Sequence, residues 1–513
     1  MPFNERLGLL MAVLGVSNST LARALSIDAS LISRWRTGTR VPGKNSTHIK
    51  AVAAYFAGQA RMDFQKAALC EIMGLPPDKR HNVNTSALAE LLHAWLSDEA
   101  TPDPELLEGF IGRLDTFKRA KGGMPPVAAE EPPAGTPHQA EVFYGIEGKR
   151  RGVIRFLSAV AARKKPGVLL LYSDESIEWF TGDRGFLAEF VARFFDVIAR
   201  GNRIKIVHVV SRDLAEMLAA IDFWLPFYMT GAIEPYYCPR YREHFFRRTM
   251  FIAPGVAALT STTLAGRENS APNLFCVDPG TIDSLTDEFH EFLGICRPLM
   301  RIFTGNNPSG LAELVTEFEE QPGDCICRSN TLTRVTMPEE LFCRLLGRSG
   351  ANDDTKEKML STQRAGASAF AENLKRHKYT EIVSLPSTGE IAAGLVPVEP
   401  LDLFAGASLF YTPQEYRSHL ENIVRLLKSC GNFNFYVSHK GFLRNVRLAA
   451  KDEVGVIVAK IDSPPAVFAF NHQNMTNAFY YYLEEVISRL PQSGRDRRQV
   501  IESLRELAGK LTD

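Results

Sequence analysis

The stretch STLARALSIDASLISRWRTGTRVP, residues 19–42, carries the pattern of two short amphipathic helices with a polar break between them. In each half, apolar residues recur at the spacing of one helical face. They are Leu21, Ala22 and Leu25, followed by Leu31, Ile32 and Trp35. Ser19 or Asn18 supplies the side-chain oxygen that caps the first helix. Asp28 caps the second helix and Gly38 ends it. The stretch therefore predicts two helices joined by a tight turn.

The outward side of the second helix carries small polar residues and an arginine, namely Ala29, Ser30, Ser33 and Arg34. Positive charge is concentrated nearby. Residues 1–50 hold seven basic and two acidic residues, so 7 − 2 = +5, whereas the whole chain holds 59 of each. A helix fits the major groove of DNA with its first residues at base edges, and neighbouring arginines pair with phosphates. The pattern predicts binding to double-stranded DNA; the alternative is a helical hairpin with solvated arginines.

The residues VSNSTLARALSIDASLISRWRTGTRVP resemble the helix-turn-helix of lambda-repressor/Cro-like transcriptional regulators. Five positions near the end match the family pattern: Ser33, Trp35, Gly38, Arg40 and Pro42. Upstream, LARALSID matches the family's run of leucine, alanine and apolar positions. The resemblance covers about residues 5–60 and implies an all-α DNA-binding domain.

The resemblance also implies a role for particular residues. The base-facing positions are Asp28, Ala29, Ser30, Ser33 and Arg34. The start of the helix that crosses the DNA backbone is formed by Asn18, Ser19 and Thr20. The phosphate-contacting positions are Arg36, Thr37 and Arg40. The family often has glutamine where this chain has Asn18, and the shorter asparagine side chain reaches less far.

The remaining chain predicts a multidomain protein. Residues 1–60 form the DNA-binding domain, 61–117 a helical extension and 118–139 a linker rich in glycine, proline and alanine. Alternating strand and helix patterns predict a large α/β body, with a first half at 140–305 and a second half at 306–513. The strand-like segment PLDLFAGASLFYT, residues 400–412, opens a stretch that repeats the order of elements of the first half, and the helices that end at Gly201 and Gly431 correspond. This pattern indicates two degenerate repeats.

The layout of the body is similar to that of a phospholipase-D-like domain, whose motif is H-x-K-x-x-x-x-D. The matching positions are Phe246, Arg248 and Ala253 in the first half, and Asn445, Arg447 and Asp452 in the second. Neither Phe246 nor Asn445 can serve as the histidine nucleophile of that chemistry. The resemblance therefore implies a body kept for binding, with no catalytic residues. Arg248 and Arg447 can hold an anion, or they are two unrelated surface arginines.

Residues 223–248 combine many aromatic side chains with arginines. Tyr236 and Tyr237 lie in this segment with Arg248, and aromatic walls with a few fixed charges are typical of a small-molecule pocket. The segment therefore predicts a site for a small anionic effector. An ordinary core edge with a solvated arginine rim has the same pattern.

Eight cysteines are scattered along the chain, and only Cys325 and Cys327 are close together. This usage predicts a reducing compartment, no metal site and no cofactor. The segment LGLLMAVLGV, residues 7–16, resembles the apolar region of a signal peptide, but its leucines follow helical spacing and no cleavage site follows. No apolar run approaches 18 residues, so the sequence predicts a cytoplasmic protein without a membrane-spanning helix.

These observations predict a sequence-specific DNA-binding transcriptional regulator that acts as a homodimer and carries a C-terminal sensor or assembly domain. Two alternatives remain at this stage. One is an enzyme, a nucleic-acid hydrolase or transferase of phosphodiesterase type that uses the helix-turn-helix for targeting. The other is a scaffold that bridges DNA sites without a small ligand.

Overall fold

The computed structural model describes residues 3–37, 42, 47–75, 83–97, 104–118, 140–175, 178–208, 214–238, 246–399, 409–438 and 445–511. The linker predicted at 118–139 lies almost entirely outside these residues. No single described helix is long and apolar enough to cross a membrane. The helices Phe3–Val13 and Asn18–Leu25 reach the length and composition of a membrane-spanning segment only when they are taken together, and they are bent by 102° relative to each other.

Six helices form the N-terminal domain: α1 (Phe3–Val13), α2 (Asn18–Leu25), α3 (Ala29–Thr37), α4 (Thr47–Gln59), α5 (Asp63–Ile72) and α6 (Thr85–Ser97). Their apolar faces share one core, in which Trp35 and Phe56 are fully buried. Leu92 of α6 belongs to the same core. The helices predicted to form one separate extension therefore belong to two different cores. Helices α5 and α6 complete the N-terminal core, whereas α7 (Pro104–Thr116) packs into the core of the body.

The first half of the body is built on an eight-stranded sheet. Its elements are β1 (Glu141–Tyr144), α8 (Gly145–Ala161), β2 (Val168–Ser173), α9 (Glu178–Thr181), α10 (Arg184–Ala199), β3 (Arg203–His208), α11 (Leu214–Tyr228), β4 (Ile233–Tyr237), β5 (Phe246–Ala253), β6 (Ala257–Leu264), β7 (Pro272–Cys276), α12 (Pro279–Ile295) and β8 (Arg297–Pro298). The strand order is β1-β7-β6-β5-β2-β3-β4-β8. Strands β2, β3 and β4 are parallel, and the other pairs are antiparallel.

The second half is built on a seven-stranded sheet. Its elements are β9 (Met300–Thr304), α13 (Leu311–Glu320), β10 (Cys325–Ser329), α14 (Glu339–Arg348), α15 (Asp353–Asn373), β11 (Tyr379–Ser384), α16 (Thr388–Ala392), α17 (Pro413–Ser429), β12 (Phe433–Ser438), β13 (Val446–Lys451), β14 (Gly455–Lys460), β15 (Ala466–Phe470), α18 (Gln473–Arg489), α19 (Gln492–Arg495) and α20 (Arg497–Gly509). The strand order is β12-β11-β10-β13-β14-β15-β9.

Apart from the edge strand β8 of the first sheet, the two sheets have the same strand order and the same strand directions when β9 is matched to β1 and β10 to β2. In each, three parallel strands continue into an antiparallel run that ends at the strand opening the half. This matching corrects two sequence-based assignments. The helix that ends before Gly431 corresponds to α11, not to the helix before Gly201. Strand β9 pairs in the second sheet, although the boundary predicted at 305 places it in the first half.

The predicted second copy also began too late along the chain. Strands β10 and β11 precede the segment PLDLFAGASLFYT, which was expected to open it. Most of that segment lies outside the described residues, and Phe410 forms only an isolated bridge with Pro397. The sequence misses β10 because CICRS is short and contains an arginine, which is buried in the fold.

Helix α7 joins the two halves of the body. Its Arg113 forms an ion pair with Asp222 of α11. The Asp115 carboxylate accepts a hydrogen bond from the backbone N–H of Asn445, at 2.7 Å. Phe110 packs edge-on against Phe479 of α18, with ring centroids 6.5 Å apart. One hydrophobic core therefore runs from the first sheet through α7 to the second sheet.

Candidate functional site

Helix α3 is held on the N-terminal domain by two fully buried side chains, Ile32 and Trp35. The indole of Trp35 contacts the ring of Phe3 edge-on, with centroids 6.3 Å apart. On its other side it lies 5.5 Å from the ring of His48, at the start of α4. The predicted burial of Trp35 is therefore observed. Its packing fixes which side of α3 faces away from the core.

The opposite side of α2 and α3 is exposed. Nine of the predicted contact residues are exposed there: Ser19, Thr20, Asp28, Ala29, Ser30, Ser33, Arg34, Arg36 and Thr37. Asn18 is half-buried. Arg40 and Gly38 lie outside the described residues. The structure thus brings the described members of the predicted set onto one continuous surface, which we call the α2–α3 face.

Hydrogen bonds order this face locally. The first helix is capped by Ser17, whose Oγ accepts from the N–H of Thr20 at 3.2 Å, and not by Ser19 or Asn18 as predicted. Ser26 has φ 56 and adopts the left-handed conformation that ends α2. Asp28 accepts from the N–H of Ser30 at 2.6 Å, as expected for the residue opening α3. Hydrogen bonds from Ser30 lower the pKa of the exposed Asp28 carboxyl.

The arginines of the face are oriented by α2 and α3. Arg34 donates to the Oγ of Ser30 at 3.0 Å, one helical turn back along α3. Arg36 donates to Oδ1 of Asn18 at 3.0 Å, which ties the end of α3 to the start of α2. Between residues 18 and 37 the chain has three arginines, Arg23, Arg34 and Arg36, and one carboxylate, that of Asp28. The net charge of this segment is therefore 3 − 1 = +2. Hydroxyl and guanidinium donors on a convex, positive helix face can pair with base edges and phosphates.

The arginines predicted to hold an anion in the body lie in different sheets. Arg248 in β5 forms a two-point ion pair with Glu288 of α12, in which Nη2 lies 2.8 Å from Oε2. Arg447 in β13 forms an ion pair with Glu399. The pairing of strands in the two hairpins places Arg248 at the position of Val446, not of Arg447 as predicted. Because neighbouring residues of a strand point to opposite sides, Arg248 and Arg447 lie on opposite faces of their matching sheets.

The two tyrosines predicted to line the same site, Tyr236 and Tyr237, also contact other residues. Tyr236 donates from its hydroxyl to Glu234 at 3.1 Å. Tyr237 packs edge-on against the ring of His472, 4.9 Å away, where the two halves of the body meet. The structure does not bring Tyr236, Tyr237, Arg248 and Arg447 together into one pocket.

A buried charge cluster in the first half was missed by the sequence reading. Lys149 of α8 and Glu175 form an ion pair, and both side chains are almost fully buried. Thr249 of β5 donates to Glu175 at 3.1 Å and accepts from Lys149 at 3.3 Å. Burial lowers the pKa of Lys149, and the charge of Glu175 opposes this effect. The segment that carries Lys149 is GIEGKR, residues 145–150, at the start of α8.

A cavity of about 420 Å³ lies in the second half, between α13, α15 and the face of the sheet formed by β13, β14 and β15. Its walls are mainly apolar, with Leu311, Val315, Phe318, Met359, Phe370, Leu374, Ala449, Ile457, Ala459 and Val467. Its charged lining includes Arg334, Arg447, Lys451, Glu319 and Glu399. Sequence reasoning found only Arg447, because the lining comes from segments spread over residues 308–467.

Of the two close cysteines, Cys325 lines this cavity and Cys327 lies two residues further along the chain. Both are buried in β10. Burial raises the pKa of the Cys325 thiol to about 12 and also raises that of Cys327. A protonated, buried thiol is a poor nucleophile and metal ligand. Among the described residues, no group of three or more histidine, cysteine or acidic side chains is arranged to hold a metal ion.

No protein-family model matches this chain, and no curated protein matches it. Among solved structures, it is similar to TrmBL2, an archaeal chromatin protein with a novel mode of DNA binding, at 14% identity and a TM-score of 0.23 over 56% of this chain and 91% of that one. It is also similar to polyphosphate kinase from Porphyromonas gingivalis, at 12% identity and a TM-score of 0.22 over 73% of this chain and 56% of the kinase. At these TM-scores neither similarity bears on function.

Proposed function

We propose that this protein is a sequence-specific DNA-binding regulator of transcription and that α3 is its recognition helix. The observation that carries the proposal is the α2–α3 face. Its exposed hydroxyl and guanidinium groups lie at the start and along the outer side of a helix whose inner side is fixed by Trp35. This arrangement gives the helix-turn-helix a single orientation for entry into the major groove.

The start of α3 suits base contacts. Ser30 and Ser33 are short enough to let the helix approach the groove floor, and Arg34 has the reach to donate to guanine O6 and N7. Asp28 excludes phosphate from its own position by charge and can accept from a cytosine amino group. Arg36 lies at the far end, where a phosphate contact sets the register of the helix without reading sequence.

The body supports a role in binding rather than in catalysis. The positions that the sequence resemblance matched to the phospholipase-D histidine hold Phe246, which is exposed, and Asn445, whose backbone is held by Asp115. Neither side chain can act as a nucleophile, and we propose that the body binds and does not catalyse. Its matching sheet orders support two diverged copies of one unit, and we propose a cytoplasmic homodimer assembled through the body.

The second candidate is a DNA-targeted hydrolase of phosphodiesterase type. The buried Lys149–Glu175 pair is the observation in its favour, because paired ionisable groups in an α/β fold mark candidate sites. The pair lies inside a hydrophobic core, against Trp179. That position favours a structural role, and the regulator remains the better-supported proposal.

The decisive experiment is selection of genomic DNA fragments by the full-length protein, followed by measurement of affinity as a function of salt. A regulator of this type enriches a short motif, and its binding weakens linearly in a log–log plot against salt concentration. Enrichment of no motif, with equal affinity for all duplexes, contradicts sequence-specific binding and leaves the scaffold alternative. Metal-dependent cleavage of the selected fragments favours the hydrolase.

A further inference from the structure

At the place that corresponds to the cavity of the second half, the first half carries a buried phenylalanine, Phe251. In the first sheet, β5 and β6 pair Ala253 with Ala257 across a three-residue turn. In the second sheet, β13 and β14 pair Lys451 with Gly455 across a turn of the same length. Ala253 of β5 therefore corresponds to Lys451 of β13, and Phe251, two residues earlier in β5, corresponds to Ala449. The same registers match Phe275 of β7 with Ala469 of β15.

These replacements remove volume from one specific place. Phe251 and Phe275 are buried in the first half, and Phe251 packs against Phe156 of α8 with ring centroids 6.1 Å apart. Ala449 lines the cavity, so the volume that Phe251 fills in the first half is open there. Ala469 packs against the neighbouring cluster of Phe303, Leu314 and Val467. The covering helix is also shorter, since α13 has 10 residues and α8 has 17. A volume of about 420 Å³ is far larger than the packing voids of a protein interior, and it lies in the range of ligand pockets.

The polar groups at the cavity leave cationic donors unused. Lys451 is satisfied, because its Nζ donates to the backbone carbonyls of Phe318, Gln321 and Glu319 at 2.5, 2.9 and 3.2 Å. Arg447 is paired with Glu399 on one side, and its buried Nε has no hydrogen-bond partner among the described residues.

Arg334 is the second unused donor. Its backbone N–H donates to Glu399, so the start of the short 3-10 helix Arg334–Thr336 is fixed at the cavity. Its guanidinium makes no ion pair or hydrogen bond within the described part of the chain. Burial lowers the pKa of this group, and the nearby charge of Glu319 opposes that effect. Among the charged lining side chains that are not exposed, Arg334, Arg447 and Lys451 face Glu319 and Glu399, so their charges sum to 3 − 2 = +1. The exposed Lys358 and Lys378 add two further positive charges to the lining.

We propose that this cavity binds a carboxylate with an apolar body, and that Arg334 and Arg447 hold its head group. Guanidinium groups pair with carboxylates through two parallel hydrogen bonds, which these two side chains still have free donors to form. The apolar wall from Leu311 to Val467 excludes water from the remainder of the ligand. The surplus positive charge selects against cationic and neutral molecules of the same shape.

The head group sits beside Glu399 rather than replacing it. Glu399 keeps its hydrogen bond from the Arg334 backbone and its ion pair with Arg447, so a carboxylate adds one negative charge to a lining whose net charge is positive. A dianionic phosphate would bring two charges into a largely apolar cavity, and their desolvation costs more than that of one carboxylate. The same chemistry fits an extended acyl chain and a fused aromatic ring, and these two sources are distinguished by experiment.

The test is isothermal titration calorimetry of the full chain with dodecanoate and with 2-naphthoate, using dodecan-1-ol and dodecylammonium as matched controls. The proposal requires saturable binding of at least one carboxylate with one ligand per chain, and binding at least tenfold weaker for the alcohol and the ammonium. Preference for dodecanoate identifies a chain, and preference for 2-naphthoate identifies a ring. Absence of carboxylate binding, or equal binding of dodecylammonium, overturns the proposal.

Variants locate the binding. Ala449→Phe restores the ring found at the matching place in the first half, and it is expected to abolish binding. Arg334→Gln keeps the shape but removes the charge, and it is expected to weaken carboxylate binding at least tenfold while leaving the affinity for the alcohol unchanged. Arg498→Gln, on the exposed side of α20, is the matched control and leaves all affinities unchanged. If carboxylate affinity survives both Ala449→Phe and Arg334→Gln, the ligand binds elsewhere and the assignment of this cavity is wrong. Because the readout is ligand binding, its failure is distinct from a failure of DNA binding.

Discussion

Arg34 shows how a single residue is prepared for a contact by its neighbours on the same helix. Its guanidinium lies along α3 and donates to Ser30, one turn closer to the start of the helix. This hydrogen bond holds a long, flexible side chain near the proposed groove-facing edge and reduces the entropy lost when it binds. Arg36 is held differently, by Asn18 of the neighbouring helix. Arg34 and Arg36, two residues apart, are therefore held by different neighbours, one on α3 and one on α2.

We expect Arg34→Ala to cost about 1–3 kcal/mol of binding free energy on the selected site and to relax the preference at one base pair. Arg36→Ala is expected to weaken binding to all sequences alike and to lower the salt slope by about one. Fluorescence anisotropy with the selected and a shuffled duplex measures both effects. Arg498→Ala removes an equally exposed arginine far along the chain and serves as control. If both α3 variants bound DNA with unchanged affinity, recognition of DNA through α3 would be excluded.

Glu381 illustrates a residue whose environment opposes its charge. It is fully buried in β11, and its Oε1 accepts a hydrogen bond from Thr333. Burial raises the pKa of its carboxyl to about 7, although the hydrogen bond from Thr333 and the charge of Arg447 act in the opposite direction. The unfolded chain has the ordinary pKa near 4.5. Between these values the folded protein retains a proton that the unfolded chain has lost.

The contribution of Glu381 to stability is therefore greatest below about pH 4.5 and declines as the pH rises towards about 7, by about 3 kcal/mol in total. We expect Glu381→Gln to remove this decline and to be more stable than the natural chain at pH 8, with little difference at pH 5. Urea unfolding at both pH values provides the measurement. Glu340→Gln, an exposed glutamate of α14, should leave the pH dependence unchanged. A variant less stable than the natural chain at pH 8 would show that the carboxylate is stabilised by Arg447 instead.

At the scale of elements, α2 and α3 are too short to be stable alone, with 8 and 9 residues. They are stable because their apolar sides close onto α1, α4 and α6 in one core. Arg6 of α1 donates to the backbone carbonyl of Trp95 in α6, which ties the first and last helices of the domain together. The exposed side of α3 thus depends on packing contributed by residues up to 97.

Trp35→Ala is expected to destabilise the N-terminal domain by roughly 3–5 kcal/mol, because it removes the largest side chain of a small core and leaves a cavity. This loss is close to the whole stability of a small domain. Thermal unfolding followed by circular dichroism measures the change, and DNA binding should be lost in parallel. Trp95→Ala, which removes a half-buried tryptophan of α6 at the edge of the same core, provides a graded comparison with a smaller expected loss. A Trp35→Ala protein that keeps both its transition and its DNA affinity would contradict the role assigned to this packing.

At the scale of the whole molecule, the α2–α3 face occupies a small part of a chain of 513 residues. The body is built from two sheets of matching strand order, joined by α7 and by the shared hydrophobic core. A single helix-turn-helix reads only a short half-site, so useful affinity requires two of them on one duplex. The body provides far more surface for such assembly than the N-terminal domain.

We expect the full chain to be a dimer at micromolar concentration and the selected DNA motif to be a palindrome with half-sites about 34–36 Å apart. Multi-angle light scattering with and without the duplex measures the stoichiometry. Residues 104–513, which keep α7, should remain dimeric alone, whereas residues 1–97 alone should be monomeric. A monomeric full chain, both free and on DNA, would contradict assembly through the body.

The sequence by itself determined the local structure of the N-terminal region. The spacing of Leu21, Leu25, Ile32 and Trp35 is a property of neighbouring residues, and it predicted α2, α3 and the outward side of Ser30 and Arg34. It also indicated an α/β body, because buried strands such as GVLLLYSD are continuous apolar runs. Details of capping were less predictable, since Ser17, Asn18 and Ser19 are all suitable caps and only the backbone geometry selects Ser17.

Only the tertiary structure decided which distant segments meet. It assigned α7 to the body, β9 to the second sheet and Arg248 and Arg447 to opposite faces, because a shift of one residue in a strand reverses the direction of its side chains. It also disclosed the cavity, which depends on Ala449 standing where the first half has Phe251. An alanine in a strand carries no signal of empty space, because a cavity is a property of everything packed around it.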